Sequence, residues 1–390
     1  MKTVNTVNKL PEDKKYLDYY VASKVSPESF PPVEYPITIV SHCTPNHLVY
    51  LPNLLKNWQG PVSVAVLVAN QSELLLQTIG GLLFCWQRLE ITLVNIKGGS
   101  VYNEVSAEHL RKYFDDGFEC DLNSLKNSVL QLVSNDKNNY EIGNEIDYPN
   151  NVLRNIALSK VATEHVMVLD IDLLPLNNLY FTFSYALQNI IKETRIATNG
   201  SLKGSYNNST LYLPFAMDGK PIDNDFVPME KVLVVVPVYE ISNKSVVPQT
   251  KQALLDLIRV GAARPFYQKI CPLCQSPSDY GRWEVSSLPY RVPWQHPYEP
   301  FYIASLSQLP SYDERFRQFG YNRISQLCES HLAGFQLVVL PWGFLTHNGF
   351  KESLHAKASI ELQRNIELYD EFVEEKYKEY DAELTGRRCM

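Results

Sequence analysis

The sequence predicts an α/β protein built on a mostly parallel central sheet flanked by helices. Three observations predict it. Apolar runs of strand length alternate with segments of helical period through residues 36–96. A further helical pattern, NNVLRNIALSKVA (150–162), feeds directly into the apolar run HVMVLD. That run ends in two aspartates, Asp170 and Asp172, at the carboxyl end of a strand, where open α/β sheets bind their ligands.

Residues 1–35 are polar and proline-studded and read as a stem or N-terminal arm. PITIVSHC (36–43) reads as a strand, and PNHLVYLPNLLKNW (45–58) as a helix despite Pro52. PVSVAVLVA (61–69) is a buried strand, SELLLQTIGGLLFCWQ (72–87) a helix, and LEITLVNI (89–96) a strand. Residues 97–148 are polar and carry no clear period. After the aspartates, 177–194 reads as a helix, and 197–230, rich in Asn, Gly, Ser, Asp and Pro, as a surface insertion. KVLVVVPVYEI (231–241) is the most strand-like run, and 250–261 is a helix stopped by glycine. Aromatics and prolines crowd 262–320. A short helix (322–334) and the strand FQLVVLP follow, and a charged helix (354–380) closes the chain. There is no internal repeat.

The net charge is −7 with acids and bases interspersed, which argues against nucleic acid as the main partner. The 24 tyrosines offer flat apolar faces with a hydroxyl, suited to sugars and equally to half-buried sheet positions. Seven cysteines leave at least one thiol unpaired within the chain. The lone CPLC at 271–274 is weak evidence for zinc; a local disulfide or two free thiols fit it better. Asn70, Asn199, Asn207, Asn208 and Asn243 fit the N-glycosylation acceptor pattern, a mild argument for secretion. The first residues lack the apolar core of a signal peptide, and no run reaches the roughly 18–20 apolar residues of a membrane span.

Residues one apart on extended chain point the same way, so Asp170 and Asp172 can face one ion. Such hard oxygen ligands suit Mn²⁺ or Mg²⁺, which keep waters and take substrate phosphate oxygens. D-x-D alone is weak, but its place directly after the apolar run HVMVL raises its worth; capping of the following helix is the alternative. His347, after the strand at 335–340, can complete the metal set. Asn151, Arg154 and Asn155 share one helix face at i, i+3 and i+4, within reach of a nucleotide.

Long blocks carry a resemblance: YPNNVLRNIAL…VLDIDLLP, LIRVGAARPFYQKICPLCQSPSDYGRW, VPWQHPYEPFYIA, YDERFRQFGYNRISQLCESHLAGF and GFLTHNGFKE. Together they resemble the LARGE-related glycosyltransferase family over about residues 145–365, and more loosely from PITIVSHC onward. The resemblance implies a GT-A glycosyltransferase fold with a Rossmann-like sheet. It implies one catalytic domain over 36–385, split into a nucleotide-sugar half (36–196), the 197–230 insertion and an acceptor half (231–385). It further implies Mn²⁺, UDP-glucuronate as donor, a xylose-ending acceptor on α-dystroglycan, a β1,4 product, a Golgi lumenal site behind a membrane anchor, and a LARGE-type enzyme as partner. UDP-GlcNAc or UDP-xylose as donor, or a non-catalytic sugar-binding protein on the same fold, are the alternatives.

A β product from an α-linked donor requires inversion, hence a carboxylate base opposite the leaving diphosphate. Glu329, on the polar stripe of helix 322–334, is the first candidate and Asp313 the second. Glu299, amid Trp294 and Tyr302, is read as an acceptor-binding group beside aromatic platforms. Arg264, Arg315, Arg317 and Arg323 are all candidates for the donor carboxylate.

Overall fold

The structure, a computed structural model, describes residues 16–21, 27–68, 72–96, 120–121, 127, 129–131, 147–185, 187, 210–212, 226–228, 231–354 and 358–390. Its strands in chain order are β1 (Tyr16–Val21), β2 (Ile37–Cys43), β3 (Val62–Val68), β4 (Leu89–Ile96), β5 (His165–Val168), β6 (Leu173–Pro175), β7 (Thr210–Tyr212), β8 (Phe226–Pro228), β9 (Val232–Val235), β10 (Val238–Ile241), β11 (Ala263–Pro265), β12 (Tyr290–Val292), β13 (Tyr302–Ser305), β14 (Gln336–Val339) and β15 (Leu345–Asn348). Nine form one sheet in the order β1-β4-β3-β2-β5-β13-β9-β14-β12. The β4-β3-β2-β5 part is parallel, as the alternating pattern predicts. Beyond β5 the sheet is mixed: β13 runs antiparallel to both β5 and β9.

The parallel part is apolar on both faces, which is why its strands read as continuous hydrophobic runs. Along β3, Val62, Val64, Val66 and Val68 enter one core cluster, while Ala65 and Leu67 enter another on the opposite face. Leu153 and Ala157 of the helix Asn150–Leu158 cover that second face. Full burial of each such valine or leucine is worth about 1.5–3 kcal/mol.

Three elements differ from the sequence reading. Tyr16–Val21 pairs antiparallel with β4, so part of the predicted arm is an edge strand of the main sheet. The predicted helix 45–58 divides into a 3₁₀ turn, Pro45–Tyr50, and an α-helix, Leu51–Asn57, because each proline sits at a helix start, where its missing N–H costs nothing. The run 231–241 is two strands in two sheets. Pro237 has no N–H for a ladder, and the chain breaks there. Within 197–230, the described residues form a small antiparallel pair, β7 with β8.

The second sheet, β11-β10-β15-β6, is what builds the site. Its register sets His347 on β15 opposite Leu173 on β6, beside Asp172, and alongside Glu240 on β10. β6 is three residues long and gave no sequence signal of its own. Disulfides join Cys85 to Cys120, Cys271 to Cys274 and Cys328 to Cys389; Cys43 is free and buried.

Candidate active site

A cleft of about 540 Å³ opens at the carboxyl ends of β2 and β5, a size suited to a nucleotide sugar. Its wall includes His42, Arg154, Asp170, Asp172, Glu299 and Arg323.

The two aspartates do not point the same way. Residues 171–172 form a turn, closed by Leu173 N–H donating to the Asp170 carbonyl at 3.0 Å, in place of the extended chain expected. Asp170 Oδ1 accepts from Arg323 at 2.8 Å and stands 3.6 Å from Arg154. Burial works against its charge, but those two guanidiniums hold its carboxyl well below the usual carboxylate range. Asp172 turns to the small sheet, with Oδ2 3.2 Å from His347 Nε2 and 3.8 Å from Lys351 Nζ. Burial raises its pKa, and His347 and Lys351 lower it by more.

His347 Nδ1 lies 2.8 Å from the Gly349 carbonyl, which can only accept, so Nδ1 carries the proton. Nε2, the other ring nitrogen, faces the Asp172 carboxylate, so the two can share a proton or a divalent cation. A backbone carbonyl fixing the second ring nitrogen is the usual support for a metal-binding imidazole. Among the described residues no three His, Cys, Asp or Glu side chains form a ready-made metal cage. Asp172 and His347 therefore suit an ion that takes its remaining ligands from substrate phosphates and water.

Beneath them lies Glu240, fully buried, which the sequence reading missed. Its carboxylate accepts from Arg264 Nε at 2.7 Å, Tyr267 N at 3.0 Å and Lys351 N at 3.2 Å. A lone glutamate in an otherwise apolar run, VVVPVYEI, was the available signal. His42 was also missed. Burial, with Arg154 next, lowers its pKa to about 3, so the ring is neutral. Its Nδ1 meets Tyr148 Oη at 2.9 Å, and its Nε2 has no partner among the described residues.

The predicted helix face divides. Arg154 reaches the cleft, whereas Asn155 holds the loop at Tyr312 and Glu314, and Asn151 donates to the Asp313 carbonyl. Both candidate bases are corrected. Glu329 faces the C-terminal helix Ala358–Glu379, accepting from Lys376 at 2.8 Å and Tyr380 at 3.0 Å, and does not line the cleft. Asp313 is clasped by Arg315, which also binds Glu375. The aromatic platforms are corrected too. Trp294 is buried, donates to the Tyr298 carbonyl and stacks on His331. Tyr302 is buried and donates to Gln326.

Of the cations, Arg264 is held by Glu240 and Glu352, and Arg315 by Asp313 and Glu375. Arg323 lines the cleft, its guanidinium 3.9 Å from the Phe301 ring centre. Glu299 lines it as well. Burial pushes its carboxyl up to about 7, Asp170 adding to the rise and Arg323 and Arg154 opposing it. Of the five predicted glycosylation acceptors, Asn243 is exposed in a turn; the other four lie outside the described residues.

A sequence model of the glycosyltransferases for dystroglycan matches residues 36–381. The chain belongs to this family. It is a glycosyltransferase, as the resemblance implied. Human beta-1,4-glucuronyltransferase 1 is 32% identical over 367 residues, covering 90% of this chain and 77% of that protein. A chicken xylosyl- and glucuronyltransferase, LARGE2s, is 31% identical over 201 residues, covering 51% of this chain and 22% of that one. Among solved structures, GalNAc-T7 with UDP, GalNAc and Mn²⁺ superposes with a TM-score of 0.41 at 10% identity, covering 89% of this chain and 49% of that one. That likeness is too distant to carry an argument about residues.

Proposed function

We propose that the protein transfers glucuronic acid from UDP-glucuronate to a xylose-ending glycan with inversion, forming a β1,4 bond. The observation that carries this reading is Asp172 lining one cleft with Arg323 and paired behind it with His347, in a chain that matches a glucuronyltransferase over nine-tenths of its length.

Asp172 and His347 would hold the divalent ion, and an imidazole beside a carboxylate favours Mn²⁺ over Mg²⁺. When bound, the ion stabilises charge on the departing diphosphate. Arg154 and Arg323 keep positive potential in the cleft, with Asp170 fixing their placement. Arg323 is the cation best positioned for the donor's carboxylate, because Arg264 and Arg315 are engaged with two carboxylates each. Lys351, held by Glu240 through its backbone, adds a second positive charge beside Asp172.

Three disulfides support an oxidising compartment such as the Golgi lumen. No helix among the described residues is long and apolar enough to cross a membrane. An α-dystroglycan-type O-mannosyl glycan is the acceptor this reading favours, and a LARGE-type enzyme acting on the product is the partner. The test is transfer by purified protein from a panel of UDP-sugars to a β-xyloside, with and without Mn²⁺. UDP-glucuronate should be used at least about tenfold faster than UDP-GlcNAc or UDP-xylose, a margin of about 1.4 kcal/mol in the barrier.

A further inference from the structure

We infer that Glu299 is the general base that deprotonates the acceptor hydroxyl. This rests on the transferase reading above and adds to it the residue that inversion requires.

The described carboxylates of the cleft wall are Asp170, Asp172 and Glu299. Asp170 is committed to Arg323 and Arg154, and Asp172 to His347 and Lys351. Glu299 feels the charges of Arg323, Arg154 and Asp170 but forms an ion pair with none of them. Its carboxylate takes no hydrogen bond from any described residue, while its backbone is fixed at both ends. Glu299 N–H donates to the Cys274 carbonyl at 2.9 Å, and Gln275 Nε2 donates to the Glu299 carbonyl at 2.9 Å. The Cys271–Cys274 disulfide closes the short turn that supplies the first contact, and both cysteines line the cleft. The side chain is thus held on a firm backbone and left open to a ligand.

The reaction balances through it. The acceptor oxygen bonds to the anomeric carbon as the bond from that carbon to the diphosphate oxygen breaks. The electron pair leaves with UDP, and the hydroxyl proton passes to a Glu299 oxygen. A base serves best with a pKa near the working pH. Burial brings Glu299 to about 7, against the opposing pull of Arg323 and Arg154 and with the support of Asp170; the Tyr267 hydroxyl also interacts with it. Below that pH the carboxyl is protonated and cannot accept, so the rate falls on the acidic side.

The experiment compares wild type, Glu299→Gln and Glu299→Asp in UDP-glucuronate transfer to a β-xyloside over about pH 5.5–8.5, alongside calorimetric binding of UDP with Mn²⁺. For Glu299→Gln the expected kcat loss is roughly 10²–10⁴-fold. UDP and Mn²⁺ binding should stay within about twofold, since no assigned ligand has changed. The acidic limb near 7 should vanish from the residual activity, and Glu299→Asp should recover part of the rate with the limb moved to lower pH. A near-normal kcat, a pure rise in acceptor KM, or an acidic limb that persists in Glu299→Gln would overturn the assignment. Failure of the transferase reading has a different signature, wild-type protein that does not bind UDP with Mn²⁺, and that result removes the base with it.

Discussion

His347 Nε2 stands 3.2 Å from Asp172 Oδ2 while Nδ1 donates to the Gly349 carbonyl, so one ring is oriented by its own turn and aimed at a carboxylate from another strand. Two short strands of a minor sheet create that meeting. Asp172→Asn and His347→Gln should each lower Mn²⁺ affinity, measured with UDP by calorimetry. The loss should exceed the roughly 10–100-fold that removal of an outer-sphere partner costs. The melting temperature should hold, because Asp172 lies at the cleft wall and both side chains keep some exposure outside the apolar core. Unchanged Mn²⁺ binding in both variants would contradict the pairing.

Glu240 is a structural support for the site. Truncating it to Ala leaves Arg264 without its buried partner and frees the backbone N–H groups of Tyr267 and Lys351. Loss of one partner from a buried pair costs about 3–5 kcal/mol. Urea unfolding of Glu240→Ala should show a destabilisation of that order, and a loss under about 1 kcal/mol, the ceiling for an exposed pair, would show that the contacts matter little.

Glu329 gives the opposite outcome to the one its helix stripe suggested. Glu329→Gln should transfer sugar at close to the wild-type rate. It should lose about 1–3 kcal/mol of stability, because Lys376 and Tyr380 lose a charged acceptor. A dead but fully stable variant would restore it to the chemistry.

His42 makes stability pH-dependent. Its folded pKa is depressed from 6.5 to about 3, so the unfolded chain binds the proton first. Stability should therefore fall as pH drops below about 6.5 and keep falling toward about 3. His42→Gln removes that contribution. Melting temperatures at pH 7.5 and 5.5 should differ less in the variant than in wild type; an equal difference would assign the slope to other groups.

Much of the fold was legible because buried parallel strands announce themselves. β3 is apolar at nearly every position, since both of its faces meet a core. The small sheet was not legible. Its strands are three or four residues long, and long-range pairing alone sets their register. Within the site, Asp172 and His347 stood out by residue type, but their meeting depends on β6 and β15, neither of which the sequence announced. The turn that sends Asp170 to Arg323 was not, because it depends on a guanidinium that helix Ile324–Leu332 brings in from far along the chain. Glu329 was misread for a related reason. The helix pattern was right about which face is polar, but the C-terminal helix Ala358–Glu379 covers that face.

The most direct measurement is transfer from UDP-glucuronate to a β-xyloside, read as UDP release and product mass, in EDTA and after Mn²⁺ is restored. The expected result is a β1,4-linked glucuronyl product that disappears in EDTA, returns with Mn²⁺, and is absent for Asp172→Asn under both conditions. Product formed equally in EDTA, or no product from UDP-glucuronate while another UDP-sugar is transferred, would contradict the account.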